Sequence, residues 1–164
     1  MKKNKLFTCL TLSASVVVLV VAGCKKNNDN GSGATGINAT IGGVAWQSQY
    51  TVGLEPNGDS FIYLSGYYGK SGDTSSVTIS ISDTAHVGQP DPFIGSDAIY
   101  TTSANKSYSA EDFFGGHGTI TVTSWDKNAH KIAGTFNGVF YNTQNSNDSI
   151  KIDNGRFNTS YTVN

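Results

Sequence analysis

Gly118-Thr119-Ile120-Thr121-Val122-Thr123-Ser124-Trp125 sets Ile120 and Val122 on one face of an extended chain and Thr119, Thr121 and Thr123 on the other. A period of two specifies a half-buried strand, because successive side chains of extended backbone point to opposite sides. Trp125 falls by that count on the face opposite Ile120 and Val122. Asp126-Lys127-Asn128 then turns the chain into 131–141, where Ile132, Gly134, Phe136, Gly138 and Phe140 share a face. Glycines alternating with phenylalanines leave room for rings to lie flat and for the strand to bend. Ile150 and Ile152 start another strand, Asn154-Gly155 supplies a type I′ turn, and Phe157, Thr159, Tyr161 and Val163 return. The result is a C-terminal meander of strands joined by short turns.

The same period runs upstream, with no helical spacing over any long window. Ile37, Ala39 and Ile41 alternate with Asn38 and Thr40, and Gly42-Gly43 turns the chain into Val44-Ala45-Trp46. Pro56-Asn57-Gly58-Asp59 is a turn, and the nearly continuous apolar and aromatic run from Ser60 to Tyr68 reads as a strand covered on both faces. Val77, Ile79 and Ile81 alternate with Thr78, Ser80 and Ser82. From Asp83 to Gly116 the pattern weakens around Gly88, Pro90, Pro92 and Gly95, with one short strand at 98–102. Long irregular segments in compact domains are more often functional than others, which makes this the first place to seek a site. The fold class is all-β: an antiparallel β-sandwich of about nine strands, with a closed lipocalin-like β-barrel as the alternative.

The amino terminus is a different kind of sequence. Lys2, Lys3 and Lys5 precede an apolar stretch from Leu6 to Val21, which ends in Ala22-Gly23-Cys24. A charged segment, an apolar segment and small residues before a cysteine form the processing site of a bacterial lipoprotein, so residues 1–23 are expected to be a signal peptide and Cys24 the lipidated first residue. The competing account, an uncleaved transmembrane helix over residues 6–22, leaves the small residues and cysteine unexplained. Cleavage removes 23 of 164 residues and leaves 141, enough for one domain with its own core. Residues 24–36 are a flexible tether without an apolar side chain larger than alanine, and 37–164 are the β domain.

Removing Lys2, Lys3 and Lys5 from 11 basic residues leaves 8 against 12 acidic ones, a formal charge of −4. The globular part has no cluster of lysines or arginines, so nucleic acid is an unsuitable partner. Cys9 departs with the signal and Cys24 carries lipid, which leaves the mature fold without a thiol for a disulfide, a metal or catalysis.

Asn38-Ala39-Thr40-Ile41-Gly42-Gly43-Val44-Ala45-Trp46, Gly118-Thr119-Ile120-Thr121-Val122, Ile132-Ala133-Gly134-Thr135-Phe136 and Ile152-Asp153-Asn154-Gly155-Arg156-Phe157-Asn158 together resemble a family of small Bacteroidota lipoprotein domains of unassigned activity. The resemblance covers Ile37 to the C-terminus and lies in turn and core residues, so it carries a fold and transfers no functional residue. It implies an outer-membrane lipoprotein. Surface-displayed members often bear acids after the lipidated cysteine, whereas this chain has Lys25-Lys26-Asn27-Asn28-Asp29. The periplasmic and cell-surface faces both stay open.

Chemistry-bearing patterns are few. Glu111 and Asp112 are adjacent acids with His117 nearby, but neighbours on a strand point to opposite faces and do not converge on one bond. His86 with Asp83, Asp91 and Asp97 meets no zinc or calcium spacing. Gly115-Gly116-His117-Gly118 precedes a strand, not the helix that a phosphate cradle requires, and no Gly-x-Ser-x-Gly elbow is present. His130, beside Lys131 at a strand start, is expected to be exposed. No cofactor, metal or catalytic residue is called for. The aromatics Phe93, Tyr100, Tyr108, Phe113, Phe114 and Trp125 either seal the open end of the core or stack on a ligand. The expected function is a non-enzymatic, lipid-anchored envelope module that binds a glycan or a protein, with a structural subunit of an outer-membrane complex as the rival and a hydrolase behind both.

Overall fold

The computed structural model describes residues 35–70, 73–93 and 98–164. The expected signal peptide over residues 1–23, Cys24, most of the expected tether and Asp97 lie outside the described residues. Among the described residues twelve strands follow one another: β1 (Gly36–Ile41), β2 (Val44–Gln47), β3 (Tyr50–Glu55), β4 (Phe61–Lys70), β5 (Asp73–Ser82), β6 (Pro90–Pro92), β7 (Ala98–Thr101), β8 (Ser107–Ser109), β9 (His117–Asp126), β10 (Lys131–Asn142), β11 (Asn145–Ser160) and β12 (Thr162–Val163). A 3-10 turn, Asp112–Phe114, joins β8 to β9. All strands belong to one open mixed sheet in the order β12-β3-β4-β5-β7-β8-β10-β11-β1-β2, with β9 on β10 and β6 on β9. The fold is all-β and sandwich-like. The sheet is not closed into a barrel, which removes the lipocalin-like alternative, and β12 runs parallel to β3 while every other pair is antiparallel.

Ile37 and Gly66 show how the sheet doubles over. β1 and β4 lie far apart in strand order, yet a Cβ added to Gly66 would sit 3.1 Å from Ile37 Cβ and 3.0 Å from Ser48 Cβ. The corner is the two-residue link between β2 and β3. Ser48 Oγ accepts the buried Ile37 N–H at 2.9 Å, Ser48 N–H donates to Ile37 O at 2.8 Å, and Gln49 N–H donates to Tyr67 O at 2.7 Å. Inside the fold lie Ile62, Leu64, Val77 and Ile79 from one half and Ile37, Ile132, Phe136, Phe140, Ile152 and Phe157 from the other, all 2% exposed or less.

The Gly-Phe alternation on β10 resolves into two reciprocal cross-strand pairs. Gly134 stands opposite Phe157, and Phe136 opposite Gly155. Each ring covers its glycine: a Cβ at Gly134 would run into the Phe157 ring and Thr121 O, and one at Gly155 would lie 2.7 Å from the Phe136 ring. Rings laid over glycines bury aromatic area while the backbones stay close, a known way to pin strand register.

Four expectations need correction. No turn occurs at Asn154-Gly155, because β11 runs straight through it and pairs with β10 from Lys131↔Ser160 to Asn142↔Asn145. Asn154 takes a left-handed φ of 52°, and one extra residue bulges against both β10 and β1. Folding back there would strip half of β10 of its partner. A second bulge, between Val122 and Ser124 opposite Ala133 and Gly134, flips the side-chain parity of β9, so Trp125 pairs with Ile132 and packs against the core instead of facing away from Ile120 and Val122. β4 is fully covered on one face only, with Ile62 and Leu64 buried and Phe61, Tyr63, Ser65 and Tyr67 half-buried. Twelve strands occur among the described residues where about nine were expected, because β3, β6, β8 and β12 join the sheet while the two strands expected on either side of Asn154-Gly155 are one.

Gly42 and Gly43, with φ of 57° and 83°, form the expected hairpin turn, and Asp59 N–H closes the 56–59 turn on Pro56 O at 3.0 Å. Ser48→Ala removes the acceptor of a buried N–H at the corner and should cost about 1–3 kcal/mol in urea unfolding. The exposed control Thr135→Ala should stay within about 0.5 kcal/mol.

Candidate functional site

Two hairpin turns meet at one rim of the sheet. Between β7 and β8 the chain turns through Asn105, whose left-handed φ of 59° is fixed by hydrogen bonds from Asn105 N–H to Thr102 O at 2.9 Å and from Lys106 N–H to Thr102 Oγ1 at 3.1 Å. Between β10 and β11 the Asn142 side chain accepts Gln144 N–H at 2.9 Å and the Asn145 side chain accepts Asn147 N–H at 3.1 Å. Asparagine favours such turns because its amide oxygen can mimic a backbone acceptor. Thr143 N–H donates to Ser107 O at 3.0 Å and ties the two turns together. They enclose a polar cleft of about 380 Å³, with Asn105, Lys106 and Ser107 on one side and Asn142, Gln144 and Asp148 on the other.

Asp148 is its centre. Its Oδ2 accepts the Tyr108 hydroxyl at 3.0 Å and Asn142 Nδ2 at 3.1 Å, and lies 3.9 Å from Lys106 Nζ. Tyr108 is buried beneath, with its ring 6.2 Å from that of half-buried Tyr100. Burial first, then the Asp148 hydrogen bond and charge, raise the Tyr108 phenol above its ordinary value, and burial also raises Tyr100 against the opposing Ser75 hydrogen bond. A tyrosine held protonated is a fixed donor. The Lys106 ammonium is largely solvated and supplies charge to the cleft more than stability to the fold. The arrangement is a carboxylate pre-oriented by a phenol and an amide, beside further amides and an ammonium. That is suited to hydrogen-bonding a polar ligand.

The six aromatics singled out from sequence do not assemble into one site. Tyr100 and Tyr108 underlie the cleft. Phe93 is 3% exposed, stands edge-on to Phe140 at 6.1 Å, and would be displaced by a Cβ at Gly118. Trp125 is half-buried, donates Nε1–H to Tyr161 Oη at 3.1 Å and carries Lys127 Nζ 4.4 Å above its ring. Phe113, 85% exposed, and half-buried Phe114 meet edge-to-face at 5.1 Å in the 3-10 turn. His130, at a left-handed φ of 51°, is half-buried against the Tyr161 ring at 5.4 Å instead of exposed as expected. Among the described residues no group of three or more His, Cys, Asp or Glu side chains could hold a metal ion.

Sequence reasoning missed Lys106, Asn142, Gln144 and Asp148. The available signal was the hydrophilic run Asn142-Thr143-Gln144-Asn145-Ser146-Asn147-Asp148 between two apolar strands, longer than a tight hairpin needs.

Residues 116–160 match a family model described as "Domain of unknown function (DUF5025)". The match takes in β9, β10 and β11, and therefore the Gly-Phe pairs and one wall of the cleft. No curated protein and no solved structure matches the chain.

The Tyr108–Asp148 bond predicts a pH signature. Because the folded-state pKa of Tyr108 lies above the unfolded value of about 10, its stabilisation is complete below that value and is lost as pH rises through the folded pKa. Tyr108→Phe should cost about 1.5–3 kcal/mol at pH 7. The gap to the unsubstituted protein should narrow at pH 11, as read from urea midpoints, with Tyr100 titrating in both proteins. A gap constant to pH 11 would refute the assignment.

Proposed function

We propose that this chain is a lipid-anchored domain of the outer membrane that binds a glycan or another envelope protein without chemically transforming it. The anchor rests on Lys2, Lys3 and Lys5, the apolar stretch and Ala22-Gly23-Cys24. The observation that carries the binding reading is the convergence of the Tyr108 hydroxyl, the Asn142 amide and the Lys106 ammonium on Asp148 at the wall of a polar cleft. The Asp148 side chain is surrounded by donors, a phenol, an amide and an ammonium, which fix its orientation at the cleft wall.

A glycan is favoured over a protein at this cleft. Carboxylate and amide side chains in a small concave site suit hydroxyl-rich ligands, whereas protein hot spots are dominated by buried aromatic and arginine anchors. The rival reading, a structural subunit that docks an edge strand, draws on β2, a terminal strand of the sheet with Val44 69% exposed.

Full-length protein in detergent, probed on a glycan array, should show a ligand whose affinity falls at least tenfold on Lys106→Ala and on Asp148→Asn. Absence of any glycan ligand, together with a stoichiometric protein partner lost on Val44→Lys, would establish the rival. Cys24→Ser should move the protein from the membrane to the soluble fraction and abolish the acyl mass increment on the N-terminal peptide. A membrane-bound Cys24→Ser protein with an uncleaved N-terminus would contradict the anchor.

A further inference from the structure

One wall of the cleft continues into the outer face of the sheet. Ser107 lines the cleft and pairs with Thr101 on β7, their hydroxyl oxygens 3.4 Å apart. Thr101 pairs with Ser76 on β5, Ser76 with Tyr67 on β4, and Tyr67 with Tyr50 on β3. These five side chains form one unbroken cross-strand row, because residues opposite each other in a ladder point to the same face. The row ends in an aromatic pair: the Tyr50 and Tyr67 rings stack at 4.9 Å with 13° between planes, and Tyr50 is 56% exposed. Alongside runs a second row that starts at buried Ser109 and continues through Ile99, Thr78, Ser65 and Val52, in which Ser65 Oγ and Thr78 Oγ1 lie 3.0 Å apart. At about 4.8 Å per strand, the distance from Ser107 to Tyr50 is about 19 Å.

The composition of this face narrows its occupant. Neither row contains a charged side chain. A nucleic acid would require lysines and arginines, and an anionic polymer would likewise require countercharge. Serine is depleted at protein interfaces, and both serine and threonine are under-represented among their hot spots. Hydroxyl groups that donate and accept, leading to exposed Tyr50 and half-buried Tyr67, each with a flat apolar body and a polar edge, match an uncharged polyhydroxylated chain.

We infer that the cleft and this face form one extended site for a neutral linear glycan, one end held at Asp148 and Lys106 and the chain crossing β8, β7, β5 and β4 to the Tyr50–Tyr67 pair. The inference rests on the glycan reading of the cleft and adds the class and length of the ligand.

The test is binding of the full-length protein to neutral linear gluco-, manno-, xylo- and galacto-oligosaccharides of two and six residues, with an acidic hexasaccharide as control. One neutral series should bind, its hexasaccharide at least tenfold more tightly than its disaccharide. Tyr50→Ala, at an exposed position and checked for an unchanged melting temperature, should lower hexasaccharide affinity at least fivefold and leave the disaccharide unaffected. Asp148→Asn should weaken both. Equal affinity at both lengths, or no effect of Tyr50→Ala, overturns the extended site while leaving the cleft reading intact. Binding of no saccharide overturns both, as does a protein partner displaced by Tyr50→Ala. Preference for the acidic hexasaccharide overturns the neutral class.

Discussion

Two phenylalanine rings lying over two glycines hold the longest ladder of this protein in place. Gly134 faces Phe157 and Phe136 faces Gly155, so each strand of the β10–β11 ribbon contributes one ring and one bare backbone position. The contact is steric on one side and hydrophobic on the other. Any side chain at either glycine would occupy the volume of a ring, and withdrawing a ring would expose backbone and open a cavity worth about 3–5 kcal/mol. Because the rings are directly cross-strand, a slip of register separates both pairs at once.

From that ribbon the rest of the molecule takes its geometry. β11 pairs along its whole length with β10, and β1 occupies its other edge, so the bulge at Asn154 bends three strands together. β9 and β8 divide the remaining edge of β10 between them, and β8 hands the sheet on through β7 to β5, β4 and β3. Ser48 and Gln49 then bring the chain across the corner where Ile37 meets Gly66. The cleft lies at the end of this path, where the β10–β11 turn and the β7–β8 turn are joined by one backbone hydrogen bond. Asp148 therefore inherits its position from the ribbon, and the row from Ser107 to Tyr50 inherits its own from the ladders that β8 begins.

Much of the fold could be read from the order of residues, for a simple reason. Strands with one buried face alternate, and Val77-Ile79-Ile81 and Ile120-Val122 do so without interruption. Turns that need positive φ announce themselves with glycine, as at Gly42-Gly43. Bulges were harder to see, since one added residue reverses parity without changing composition: Ile150 and Ile152 give way to Phe157, Thr159 and Tyr161, and a turn explains that shift as well as a bulge does. Only the need of β10 for a partner along its whole length separates the two. β3 and β6 were missed because Gly53, Pro90 and Pro92 break their patterns, and the chain at Gly53 lies so close to Ser160 and Tyr161 that no side chain fits. The cleft was illegible for a different reason. Lys106 and Asp148 are far apart in sequence, and nothing local marks them as neighbours. The aromatics that drew attention proved to be divided between core, cleft floor and rim.

The dependence on reciprocal packing is most directly tested by a double-mutant cycle between Gly134 and Phe157 in urea unfolding. Gly134→Ala alone should destabilise by about 1–3 kcal/mol through overpacking. In a Phe157→Leu background, where the ring that a methyl group would strike is gone, the same change should cost at least about 1 kcal/mol less. Strictly additive effects would show that the glycine and the ring act independently, and the ribbon would then owe its register to something else.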